Sequence, residues 1–168
     1  MKKIFVDSCT FILLAKASVL ELFSNNNIVM TTKNVYDEVL EGKKKLFPDA
    51  LLLERLKNEN KIKVTSLNSA STQKIMQDYA MGVGEASLIS VAIKEKNVII
   101  ATDNMQGRKV ANLMNIPLIG SLEIIVSLHK KNIITDEKAI SALKILKEEG
   151  WFHSYLVEKV EEDIKWQK

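Results

Sequence analysis

The chain has 168 residues, room for one domain with at most a short appendage. Hydrophobic residues make up 46% and charged residues 27%, a balance that excludes disordered, collagen-like and coiled-coil chains. The 6 Gly and 2 Pro are too few for the turns of an all-β sandwich, and a net charge of +3 is too small to mark a protein that coats DNA. The single Cys9 excludes an internal disulfide and a thiolate metal cage, and fits a reducing compartment.

Met1-Lys2-Lys3, the apolar stretch to Leu14 and Ala15-Lys16-Ala17 together imitate a secretion signal. Asp7 breaks the apolar segment, at a cost of about 2.5–3.5 kcal/mol for membrane insertion, and Lys16 breaks the cleavage triplet. No apolar run approaches the roughly 18 residues that cross a bilayer, so the expectation is a cytoplasmic protein without a membrane segment.

In chain order, Lys3-Ile4-Phe5-Val6 reads as a strand buried on both faces and ending at Asp7. Ser8 is expected to cap a helix to about Lys16, followed by a short helix towards Phe23 and a turn at Asn25-Asn26-Asn27. A strand at Ile28-Val29-Met30 and a helix capped by Thr32 come next, then a loop at Gly42-Lys43-Lys44-Lys45 and a helix from Asp49 to about Asn58. Ile62-Lys63-Val64 is a third strand. Gly82-Val83-Gly84 precedes a helix from Glu85 to Lys96, and Val98-Ile99-Ile100-Ala101 is a fourth strand that stops at Thr102-Asp103. A helix over about Gln106 to Met114, a short strand at Pro117-Leu118-Ile119 and two or three helices from Ser121 complete the chain.

Strands alternating with amphipathic helices predict an α/β fold, an open parallel sheet covered on both faces. Ligands of such sheets sit beyond the carboxyl ends of the strands, where Asp7 and Asp103 are expected. Glu85 falls on the same helical stripe as Leu88, Ile89, Ala92 and Ile93, and Glu38 lies between Val35 and Val39. Singly, each acid has an ordinary explanation, as a strand-end residue or a favourable charge at a helix start. Together, four carboxylates at one rim would raise one another's pKa unless a cation held them, and oxygen-only ligands favour Mg²⁺ or Mn²⁺.

Other motifs are weaker. Gly82-Val83-Gly84 lacks the third glycine and preceding strand of a dinucleotide site. Cys9 has alanine rather than arginine six positions on, and reads as a small buried residue. His129 and His153 lack metal-ligand spacing and read as surface or capping residues. Trp151 and Phe152 are expected to dock the last helix, and Lys43-Lys44-Lys45 reads as a solvated loop.

The chain resembles PIN domains, the small metal-dependent ribonucleases that include the VapC-type toxins of prokaryotic toxin–antitoxin pairs. Ile4-Phe5-Val6-Asp7-Ser8 is similar to the family's first strand and acid, Val35-Tyr36-Asp37-Glu38-Val39 to the second acidic segment, and Gly84-Glu85-Ala86-Ser87 and Ala101-Thr102-Asp103-Asn104 to the third and fourth. The stretch Asp103 to Gly120, with Arg108 and Ala111, is more similar to a prokaryotic PIN-like subgroup than to the toxins proper. Two departures stand out: Asn104 replaces a further acid, and the tail lies beyond a toxin-like core.

The resemblance implies a three-layer α/β/α fold with a central parallel sheet of four to five short strands over residues 1–132, and the helical apolar series of the tail predicts a C-terminal helical extension over 133–168 that packs on the core or on a partner subunit. It implies metal-dependent hydrolysis of single-stranded RNA, with Asp7, Glu85 and Asp103 as Mg²⁺ or Mn²⁺ ligands and Glu38 completing the catalytic pocket directly or through water. Ser8, Thr102 and Asn104 would orient ligands or water, and Arg108 would contact phosphate. The partners implied are single-stranded RNA, a second copy of the chain as a homodimer and, for a toxin, a small antitoxin protein. Two rivals stand beside this reading: a catalytically silent PIN-like RNA-binding or assembly module, and a phosphohydrolase with Asp7 as nucleophile, which lacks an acid at position 9.

Overall fold

The computed structural model describes residues 2–41, 47–67, 69–150 and 152–166. The Gly42-Lys43-Lys44-Lys45 loop and Trp151 lie outside the described residues. Five strands, β1 (Lys3–Val6), β2 (Ile28–Thr32), β3 (Ile62–Thr65), β4 (Val98–Ala101) and β5 (Leu118–Ile119), form one sheet in the order β3-β2-β1-β4-β5, and every pairing is parallel. The helices among the described residues are α1 (Ser8–Lys16), α2 (Leu20–Asn26), α3 (Lys33–Glu41), α4 (Pro48–Asn58), α5 (Ser69–Tyr79), α6 (Val83–Lys94), α7 (Met105–Leu113), α8 (Ser121–Lys130), α9 (Asp136–Glu149) and α10 (Ser154–Trp166).

The layers follow from the handedness of parallel crossovers. The chain steps outward from β1 through β2 to β3, then returns past β1 to β4 and β5. Right-handed connections therefore place helices of the two excursions on opposite faces of the sheet. On one side α1 packs against α2, α4, α8 and α9; on the other α6 packs against α5 and α7 and over β2 and β4. The result is a three-layer α/β/α sandwich. Phe5, Phe11, Leu14, Leu20, Leu53, Leu88 and Ile100 are among its fully buried side chains, each favouring the folded state by about 1.5–3 kcal/mol relative to exposure.

The terminal helices continue this core. Ala139, Ala142, Leu143 and Leu146 of α9 are buried, with α1 and α8 as the neighbours of that helix. Helix α10 lies on α9, burying Val157 and Ile164 and linking Lys147 to Glu158 at 2.6 Å, while Tyr155 and Leu156 remain exposed. Phe152 is half-buried against the core. No single helix among the described residues is long and apolar enough to cross a membrane.

Several elements differ from the sequence expectation. Asp7, not Ser8, is the N-cap of α1, because its carboxylate accepts the Thr10 amide at 2.7 Å. The asparagine cluster is partly helical rather than a turn beyond the helix: α2 runs on to Asn26, and Asn26 and Asn27 donate their side-chain amides to the Leu22 and Phe23 carbonyls at its end. Helix α5 was not anticipated at all, since only Thr72 and Ile75 of its residues are buried. Ile93 does not share the buried stripe of α6 and is 58% exposed. His129 is not a surface residue; it is largely buried, its Nε2 2.8 Å from Asp136.

Candidate active site

Strand order reverses beside β1, so the crevice between the carboxyl ends of β1 and β4 is the topological switch point of the sheet. Asp7 and Asp103 stand at that crevice. Val6 pairs with Ala101, and the Asp7 amide donates to the Ala101 carbonyl at 3.0 Å, fixing the rim in register.

Asp7 is 2% exposed. Its Oδ1 accepts the Thr10 amide at 2.7 Å and its Oδ2 accepts the Thr102 hydroxyl at 2.5 Å. Burial outweighs these donors and pushes the carboxyl from 3.8 up to about 6, with a small added push from Asp103. Asp103 is half-buried: Oδ2 accepts the Thr10 hydroxyl at 3.0 Å, and both oxygens receive the Ser121 amide, at 3.0 and 3.2 Å. Its carboxyl is also raised, chiefly by burial. Thr10, fully buried, thus binds one aspartate through its amide and the other through its hydroxyl.

Glu38 and Glu85 are held more loosely. Glu38 is exposed rather than buried between Val35 and Val39, because it lies on the outer side of α3 at the rim. Its Oε1 accepts the Ser8 hydroxyl at 2.9 Å, which ties it to the residue beside Asp7. Glu85 is half-buried in the first turn of α6, where its Oε2 accepts the Gly82 amide at 2.8 Å. Both line a groove of about 530 Å³ between the starts of α3 and α6. Gly84 permits this closeness: a Cβ there would meet Glu38 Oε2 at 2.8 Å.

The fields of all four acids meet at Cys9. The residue is exposed, not buried as the sequence suggested, yet crowding by its surroundings comes first in pushing the thiol up to about 12, followed by Asp7, Asp103, Glu38 and Glu85. The remaining residues singled out in the sequence are engaged within the fold. Thr102 joins Asp7 to the chain that follows, since its Oγ1 also accepts the Asn104 amide at 3.1 Å. Asn104 Oδ1 caps α7 by accepting the Gly107 amide at 3.0 Å. Arg108 donates Nη1 to the Thr102 carbonyl at 3.1 Å and faces Glu123 at 3.5 Å.

The donor set suits a hard divalent cation. Its ligands are all oxygens, two of them in carboxyls already driven upward by burial, and no cation of the chain pairs with Asp7 or Asp103 among the described salt bridges. The Ser121 hydroxyl, on the residue that holds Asp103, is buried without a hydrogen-bond partner among the described residues. Those residues contain no preformed group of three or more His, Cys, Asp or Glu side chains spaced to hold a metal, so Glu38 and Glu85 would have to swing inward to join the fixed aspartates.

A family model described as PIN domain matches residues 3–164. The chain belongs to the PIN domain family. A search of curated proteins finds no match. PIN domains are generally nucleases and usually use divalent metals, and this PIN domain carries its acids at the switch point of a nuclease-type fold. Sequence reasoning missed Thr10, Ser121 and Glu123 at this rim. Glu123 adds to the field on Asp103 and accepts the Gly120 amide at 2.9 Å. The one signal that could have found it is Gly120 followed three residues later by an acid at a helix start.

Proposed function

We propose that this PIN domain is a metal-dependent endoribonuclease that hydrolyses phosphodiester bonds of single-stranded RNA, using Mg²⁺ or Mn²⁺. The observation that carries the reading is the joint suspension of Asp7 and Asp103 from Thr10 at the sheet's switch point, with Glu38 tied by hydrogen bond to Ser8 beside Asp7. Asp7, Glu85 and Asp103 would hold the ion, with Glu38 completing the pocket. Bound there, the ion would supply activation of water and neutralisation of charge at the scissile phosphate and leaving oxygen. Thr102 and Thr10 hold the aspartates in place, and Ser8 does the same for Glu38. The Cys9 thiol, pushed up first by desolvation and then by the neighbouring acids, stays protonated and takes no nucleophilic part. Arg108 reaches phosphate only if it leaves the Thr102 carbonyl and Glu123.

The test is cleavage of a mixed single-stranded RNA pool by wild type with Mn²⁺, beside Asp7→Asn and Asp103→Asn. Activity in wild type alone is expected; inactivity of wild type, or equal activity in all three, overturns the proposal. One observation favours the silent-module reading: position 104 offers an amide whose oxygen is committed to capping α7. A homodimer belongs to the same proposal, supported by Tyr155 and Leu156 exposed side by side on α10. A toxin role would require a small antitoxin protein, and the neighbouring gene is the observation that decides it.

A further inference from the structure

Beside the acidic groove lies a second hollow of about 520 Å³, enclosed by α3, the segment entering α5, α5 itself and the start of α6. The two share Asn34, Asp37 and Val83 along their walls, so they lie side by side. Their chemistry differs sharply. The acidic groove presents carboxylates, whereas the hollow offers the amides of Asn34 and Gln73 above apolar walls of Leu67, Met76 and Val83. Its only charged pair, Lys33 and Asp37, is closed on itself at 2.7 Å. Val83 is 42% exposed, an apolar side chain left uncovered where the two cavities adjoin. Thr72 also lines the hollow, and its buried hydroxyl has no hydrogen-bond partner among the described residues.

We propose that this hollow is a nucleobase subsite, receiving the base next to the phosphate that the carboxylate rim would engage. The proposal rests on the ribonuclease reading and names the part of the substrate that selects where the strand is cut. A base needs apolar surface for its faces and neutral donors and acceptors for its edge, and it carries no charge for the nearby acids to repel. The hollow supplies that combination beside the acidic groove, as a base branches from the sugar beside its own phosphate. Among the described residues the one cation lining it, Lys33, is already paired with Asp37, which disfavours a phosphate, and a protein side chain would not account for the wall shared with the acidic groove.

The experiment compares wild type with Gln73→Ala, Asn34→Ala and Thr72→Val, the first two being substitutions of exposed side chains that leave the core untouched. Cut sites on a mixed single-stranded RNA pool are sequenced. In parallel, binding of fluorescent RNA oligonucleotides differing at one base is followed by anisotropy in an Asp103→Asn background, which reads the subsite without cleavage. The expected result is a base preference at one position flanking the cut that falls about fivefold in Gln73→Ala or Asn34→Ala, the worth of one hydrogen bond, with an unchanged melting temperature. Variants that keep the wild-type base preference, or lose affinity equally for all bases, overturn the subsite while the ribonuclease reading stands. A wild type that neither cuts nor binds any RNA overturns both.

Discussion

Thr102 donates its hydroxyl to Asp7 Oδ2 at 2.5 Å across the central strand pair, while the Thr102 oxygen accepts the Asn104 amide. Asp7 is therefore supplied with donors but with no cation among the described residues, and the balance between its hydrogen bonds and its burial decides how it titrates.

Burial wins, so the folded chain holds a proton on Asp7 up to about pH 6, where the unfolded chain releases it near 3.8. Between these values the folded state binds more protons, and stability falls as pH rises. The contribution is fully present below about 3.8 and lost on passing 6; from 3.8 to 6 it amounts to roughly 3 kcal/mol. In EDTA, Asp7→Asn is expected to melt several degrees above wild type at pH 7.5, with the gap closing towards pH 4. Thermal melts across this range check it, and a gap that widens on acidification contradicts it.

Millimolar Mn²⁺ or Mg²⁺ is expected to raise the melting temperature of wild type, because an ion that binds only the folded state stabilises by about 2.7 kcal/mol at one hundred times its dissociation constant. Asp7→Asn and Asp103→Asn should lose that response while remaining folded. An unchanged wild-type midpoint would favour the silent module.

Thr10→Val keeps shape but deletes the hydroxyl that Asp103 accepts, leaving that carboxylate to Ser121. A loss of about 1.5–3 kcal/mol follows from one hydrogen bond to a charged group, together with a roughly 10–100-fold drop in metal affinity. Thr10→Ser should restore both. Calorimetric titration with Mn²⁺ separates the two effects, and metal affinity unchanged in Thr10→Val would deny Thr10 its positioning role.

Leu143→Ala is expected to cost about 2–5 kcal/mol, the usual price of a cavity at a fully buried leucine. Tyr155→Ser with Leu156→Ser should instead leave the fold intact and convert a dimer to a monomer by light scattering. A dimer that survives this double change moves the interface away from α10.

Strands β1 and β4 were legible because each is a short apolar run stopped by an acid, and Asp7 and Asp103 could be placed at the rim from that pattern alone. Glu38 was misjudged because three-residue spacing from Val35 suggests a shared face, whereas the rim turns that side chain outward. Helix α5 escaped notice because Ser69-Ala70-Ser71-Thr72 carries no apolar period. The roles of Thr10 and Ser121 could not be read, because they depend on partners 93 and 18 residues away.

The sheet order has a consequence for how the molecule breathes. Asp7 follows the central strand, and its amide is locked to Ala101, so hydrogen exchange at that amide should proceed only when the whole domain opens. Glu38 is exposed and Glu85 half-buried, and their carboxylates accept from the Ser8 hydroxyl and the Gly82 amide at the rim. The rim thus joins two carboxylates tied to the central strands by several donors to two held at helix starts by fewer, so an ion bound there would be gained and lost on the side of Glu38 and Glu85.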